Sequence, residues 1–185
     1  HQQGIRDRRA KMGEVILVDT ANQALGTAEK LVAHSGDGQL HRAFSVFVFN
    51  SQGDMLLQQR ARDKYHFGGL WTNACCSHPT PGVEIKAGAE DRLIIEMGLK
   101  LELEEKFTFQ YRAHDPKSKL TEWEIDHVFV GFTDQQPQPN AEEVNAWGWI
   151  TIDDLFRHLE NGPEAFTPWF PIAVEELKAR ELLKR

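Results

Sequence analysis

The run AFSVFVF, residues 43–49, most restricts the fold of this chain. It is apolar apart from Ser45 and far shorter than the roughly 20 residues needed to span a bilayer. Rich in Phe and Val and followed by the turn residues SQGD (51–54), it reads as a buried strand. The strand extends back through QLHRAFSVFVFN (39–50), and a second strand, MLLQQR (55–60), follows the turn. With 185 residues, the chain is long enough for one domain with a real core.

The rest of the chain fits that core. VILVD (15–19) predicts a first short strand and Ala24 to His34 a second, with SGDG (35–38) as a turn. A polar, basic loop, ARDKYHFGG (61–69), leads into LWTNACCSH (70–78). From Glu84 the period changes: EIKAGAEDRLIIEM places Ala87, Leu93, Ile94 and Met97 at helical spacing, and Gly98 is a natural stop. FTFQYRAH (107–114) and LTEWEIDHVFVGFT (120–133) alternate like antiparallel strands, and NAWGWIT (145–151) predicts one more. Asp153 is expected to cap the helix DDLFRHLENG. TPWFPIAVEELKARELLKR (167–185) reads as an amphipathic helix entered through prolines. This order predicts a single α+β or α/β layered domain over residues 13–185. Residues 1–12, polar and basic without a secretory pattern, are expected to be a flexible leader or a cloning remnant, with Met12 a candidate natural start.

The formal net charge of -7 argues against nucleic acid as a partner. An anionic ligand needs a local basic cluster or a metal ion. Adjacent Cα atoms lie about 3.8 Å apart, too close for an unstrained bridge, so Cys75 and Cys76 are read as free thiols in a reducing, cytoplasmic setting.

Residues two apart on a strand share a face. Cys76 and His78 therefore point one way and Cys75 the other, into the core. Glu122 and Glu124 are related in the same way, and His34 and His41 bracket the SGDG turn. Three imidazoles and two carboxylates make a donor set for a divalent ion such as Zn²⁺ or Mn²⁺. The same residues also fit capped histidines and the solvent face of a half-exposed strand, and spacing alone does not bring them together.

The motifs taken together carry a resemblance. EKLVAHSGDGQLHRAFSVFVFN, GGLWTNACCSHP, a helix ending EMG, YRAHDPKSKLTEWEIDHVF and FTPWF occur in the order of the type I isopentenyl-diphosphate isomerases. The combination of AHx(6)H, WTNxCxHP and ExE resembles that family from about Gly13 onward. The resemblance implies a Nudix-like fold, a mixed sheet in an α/β/α layered domain. It implies interconversion of isopentenyl and dimethylallyl diphosphate through a tertiary carbocation.

By the same resemblance His34, His41, His78, Glu122 and Glu124 hold a Zn²⁺ or Mn²⁺ ion. Cys76 is the catalytic cysteine at the deprotonating face. Glu124, with Tyr111 beside it, works at the protonating face, and Trp169 turns its ring to the cation. Glu96 helps hold Mg²⁺ on the substrate diphosphate, and Lys30, Arg60, Lys64 and Arg92 surround that diphosphate. No flavin is implied, nor a membrane or nucleic-acid partner; the expected form is a monomer or weak homodimer acting on a small prenyl diphosphate. Ser77 stands where some members have glycine, and Trp71 is read as packing beside the site.

A Nudix hydrolase gathers metals on the glutamates of GX5EX7REUXEEXGU. With Gly98 as the final glycine, only Glu96 falls on a paired glutamate. Ile95 takes the place of its neighbour, Asp91 and Arg92 take the Arg-Glu pair, and Val83 takes the upstream glutamate. The isomerases show the same erosion. A Nudix-type pyrophosphohydrolase is the alternative reading, and a non-catalytic metal- or phosphate-binding module a third.

Overall fold

The computed structural model describes residues 13–184; the leader expected over residues 1–12 lies outside them. Glu14–Val18 (β1) and Ala24–Glu29 (β2) pair antiparallel. The chain then enters a short helix, Lys30–His34 (α1), where the sequence predicts strand as far as His34. The β1–β2 ladder ends where Glu14 faces Glu29, and Lys30 N–H donates to the Gly13 carbonyl. Past that point KLVAH satisfies its backbone locally, with Ser35 N–H on the Val32 carbonyl and the Ser35 hydroxyl on Leu31.

His41–Phe49 (β3) lies at the centre of the sheet, as its apolar run requires. It pairs in parallel with Thr121–Phe132 (β8) over its whole length and antiparallel with Cys75–Ser77 (β6). It also touches β1 at Leu17 and Met55–Arg60 (β4) at Met55. Trp71–Thr72 (β5) and Val144–Ile150 (β9) flank β4, and Glu104–His114 (β7) flanks β8. The described strands form one mixed sheet.

Alternation along β3 divides the core. Phe44, Val46 and Val48 pack with Ala89, Leu93 and Met97 of the helix Ile85–Met97 (α2). Phe47 and Phe49 pack with Phe170, Val174 and Leu177 of the helix Trp169–Ala179 (α4). Each such side chain stabilises the fold by about 1.5–3 kcal/mol when fully buried. Helices on both faces give the α/β/α layering.

Two helix ends differ from the sequence reading. The helix Ile152–Asn161 (α3) is capped by Thr151, whose hydroxyl accepts the Asp154 N–H at 3.2 Å, and Asp153 falls in the first turn. Thr151 follows β9 directly and keeps an extended backbone, so its side chain, not that of Asp153, meets the free amides. The last helix stops at Ala179, short of residue 185. Glu181 takes φ 58°, and Leu182 N–H returns to the Leu177 carbonyl.

Gly98 closes α2 in the left-handed region at φ 65°. The Gln138 N–H then caps the Met97 carbonyl, and a Cβ at position 98 would lie 2.7 Å from the Gln138 carbonyl oxygen. Gly98→Ala is expected to cost about 2 kcal/mol and lower Tm by roughly 4–8 °C by calorimetry. An unchanged Tm would show that the turn adapts.

Candidate active site

The site lies across four neighbouring strands, β6, β3, β8 and β7. Register sets who stands beside whom. Ser45 pairs with Cys76, His41 with Glu124, Ala43 with Asp126, and Glu124 with Tyr111. Cys76, Ser45, Glu122, Glu124, Asp126 and Tyr111 all line one cleft. Cys75 turns to the opposite face and is fully buried against α2. β6 and β8 flank β3; Cys76 stands level with Ser45 and Val128, and Glu124 lies four residues farther along β8.

Three histidines and Glu122 present ligand atoms that all lie within 4.8 Å of one another: His34, His41, His78 and Glu122. Glu122 Oε2 is 3.1 Å from His34 Nε2, 3.8 Å from His41 Nε2 and 4.0 Å from His78 Nε2. Glu124 Oε2 joins them, 3.0 Å from His78 Nε2 and 3.3 Å from His41 Nε2. His34 and His41 each give their Nδ1–H to a backbone carbonyl, of Lys30 at 2.6 Å and Gln39 at 2.7 Å. Their Nε2 atoms therefore offer lone pairs.

That arrangement sets acceptor against acceptor in a dry site. His34 Nε2 meets Glu122 Oε2, and His41 Nε2 is buried without a hydrogen-bond partner. A cation among them removes the conflict, and mixed imidazole and carboxylate donors suit a borderline divalent ion. The group could hold a metal ion.

The carboxylates on β8 are driven in different directions. Burial opposes charge on Glu122, but the His34 and His78 imidazoles beside it hold its carboxyl well below the usual range. Burial and the Glu122 charge push Glu124 up, yet the His41 and His78 imidazoles bring it below its ordinary value. Burial, with Glu124 next to it, pushes Asp126 well up, against the Ser45 hydroxyl that donates to it at 2.7 Å. Tyr111 donates its hydroxyl to Glu124 Oε1. Burial and the Glu124 charge raise that phenol well above its ordinary value, so the proton stays on the pair.

On the other flank, burial pushes the Cys76 thiol up to about 12, with Asp126 adding to it and Arg60 and the Ser45 hydroxyl opposing. Trp169 is buried and donates its Nε1–H to Asn73 at 3.3 Å. Arg60 stands 5.7 Å from its ring centroid.

Lys30, Arg60, Lys64 and Arg92 line the same cleft. Burial and the three neighbouring cations, Lys64 first, lower the Lys30 pKa. Glu143 pairs with Lys64 and with Arg92, the latter at 3.0 Å. Glu96 stands apart from the cleft lining. Its Oε1 accepts from Gln58 at 3.1 Å and its Oε2 from Arg92 at 2.5 Å. Glu96 is thereby tied to Arg92, one of the four cations of the cleft.

Three residues at the site escape the sequence reading. His66, in the loop 61–69, sets its Nε2 against Glu122 Oε1, and burial followed by the Arg60 charge lowers its pKa so that it stays neutral. The fold of that loop, held by Phe67 N–H on Asp115 at 2.9 Å, is what brings it in, and no spacing signals it. Asp126 was available from the alternation that pairs Glu122 with Glu124. Asn73 stands inside a quoted motif without a role.

The eroded helix motif is also explained. Glu84 caps α2 by accepting Lys86 and Ala87 N–H, and Glu90 accepts Leu103 N–H at 2.8 Å. Neither lines the cleft, and the carboxylates that do lie on β8.

The family model of the NUDIX domain matches residues 39–170. Among solved structures, a Deinococcus radiodurans protein superposes with TM-score 0.65 at 16% identity, covering 80% of this chain and 90% of that one. A MutT protein from Methanosarcina mazei gives 0.62 at 16% identity, covering 77% and 95%. These define the chain as a Nudix-fold protein. Curated relatives narrow it. An isopentenyl-diphosphate Delta-isomerase of Serratia proteamaculans is 46% identical over 168 residues, 91% of this chain and 93% of the relative. Its namesake in Halorhodospira halophila is 43% identical over 166 residues, 89% and 95%. The chain belongs to the isopentenyl-diphosphate Delta-isomerase family of Nudix-domain proteins.

Proposed function

We propose that this enzyme interconverts isopentenyl diphosphate and dimethylallyl diphosphate by adding a proton at one end of an allylic unit and removing one at the other. The observation that carries it is the placement of a thiol and a phenol–carboxylate pair, from β6 and from β7–β8, on one buried cleft with four cations. A hydrolase needs several carboxylates on the Nudix helix. Here Glu84 and Glu90 are spent on backbone amides, and Glu96 is bound to Arg92.

Lys30, Arg60, Lys64 and Arg92 hold the diphosphate, whose charge relieves their mutual repulsion. The Tyr111–Glu124 pair gives a proton to the terminal methylene carbon. The resulting tertiary cation faces the ring of Trp169, an attraction of about 0.5–2 kcal/mol. Cys76, having first lost its own proton to solvent, takes as thiolate the proton from the carbon next to the oxygen-bearing one. The burial that raises its pKa also makes the thiolate a strong base. One proton enters, one leaves, and the C–O bond to the diphosphate stays intact.

A Zn²⁺ or Mn²⁺ ion on His34, His41, His78, Glu122 and Glu124 supplies positive charge that fixes Glu124 and tunes its acidity. Mg²⁺ belongs with the substrate phosphates.

Incubation with isopentenyl diphosphate in D₂O, followed by NMR, tests the reading. Deuterated dimethylallyl diphosphate with no free phosphate or pyrophosphate is expected. Release of either phosphate species, or no deuterium in any prenyl compound, would refute it.

A further inference from the structure

Asn73 makes five side-chain hydrogen bonds inside the core of the site while fully buried. Its Nδ2 donates to the Val46 carbonyl at 2.9 Å and to the Cys75 carbonyl at 2.8 Å. Those two acceptors permit one orientation of the amide, because a flip would set oxygen against oxygen. Oδ1 is thereby aimed at three donors: the Cys76 thiol at 3.2 Å, the Trp169 indole at 3.3 Å and the Thr72 hydroxyl at 2.8 Å. Thr72 is in turn bonded to the Thr167 hydroxyl at 2.8 Å, two residues before Trp169. A single carboxamide, anchored to the backbone of β3 and β6, joins two side chains, Cys76 and Trp169, that are far apart in the sequence.

We propose that Asn73 is a positioning residue for the isomerisation, its one carboxamide oxygen holding the Trp169 indole and accepting the S–H that forms as Cys76 takes the carbocation's proton, so that the two side chains act as one unit. The inference rests on the function proposed above. The geometry has a kinetic consequence. The cation has two exits: a proton passes to Cys76 and gives product, or returns to the Tyr111–Glu124 pair and regenerates substrate. Only the first exit depends on where the sulfur sits, and misplacement by 1 Å can cost on the order of 10²-fold. The ring of Trp169 stabilises the cation before either exit, so its contribution cancels from the ratio between them.

In D₂O the return exit leaves deuterium in the methylene of recovered isopentenyl diphosphate. The ratio of that label to dimethylallyl product measures the partition. Asn73→Ala is expected to raise the ratio by ~10-fold or more through the misplaced thiol, lower kcat in proportion, and leave KM within about 3-fold. A folded Asn73→Ala enzyme with an unchanged ratio, exchange and product falling together, overturns the proposal and leaves Asn73 a structural residue. Where Asn73→Ala does not fold, Trp169→Phe decides. It keeps a ring face but removes the indole donor, and is expected to raise the ratio by about 3-fold as the shared acceptor loosens. An unchanged ratio there also overturns the proposal. Failure of the unaltered enzyme to label any prenyl compound refutes the isomerase reading instead, so the two failures are distinct.

Discussion

Cys76→Ala is expected to lower kcat for isomerisation by about a thousand-fold, the scale of a lost proton-transfer group. Its neighbour gives the matched control. Cys75→Ala is expected to keep kcat within about 3-fold and to cost about 1 kcal/mol of stability, because that side chain only fills space against α2. The contrast follows from one strand of three residues. Cys76 stands opposite Ser45 and lines the cleft, whereas Cys75 stands opposite Val46 and is sealed in the core. Both proteins should be compared by turnover and by thermal melting. An inactive Cys75→Ala enzyme beside an active Cys76→Ala enzyme would reverse the assignment.

Metal removal should be the second large effect. Exhaustive chelation is expected to abolish isomerisation and to lower Tm by roughly 8–16 °C, equivalent to losing about 4 kcal/mol from an ion held at a thousand times its Kd. The loss reflects the arrangement of His34, His41, His78 and Glu122, whose ligand atoms all lie within 4.8 Å of one another. Adding Zn²⁺ or Mn²⁺ back should restore both Tm and turnover, and comparing the two ions would rank them. Full activity in protein shown by elemental analysis to be metal-free would rule out the metal role.

Much of this was legible in the sequence, and the reason is local. Alternation is a property of the strand itself, so it separates Cys75 from Cys76 and aligns Glu122 with Glu124 before any partner strand is known. The helix ending at Gly98 is equally local, since the backbone there needs a left-handed residue. Where the sequence reading slips, a neighbour decides. Residues 30–34 turn helical where the β1–β2 ladder runs out, and Thr151 displaces Asp153 as a cap because β9 ends one residue before it.

What the sequence by itself determined is the set of faces: which residues look into the core, which look the other way, and which motifs travel together. What only the tertiary structure decided is which faces meet. The parallel pairing of β3 with β8 joins residues about 80 positions apart and places His41 beside Glu124 and Ser45 within reach of Asp126. The folded loop 61–69 brings His66 to Glu122, and α4 brings Trp169 to Asn73. Such pairings are chosen by the burial of the whole sheet between its helices, a free energy summed over many distant side chains, so no window of sequence contains them.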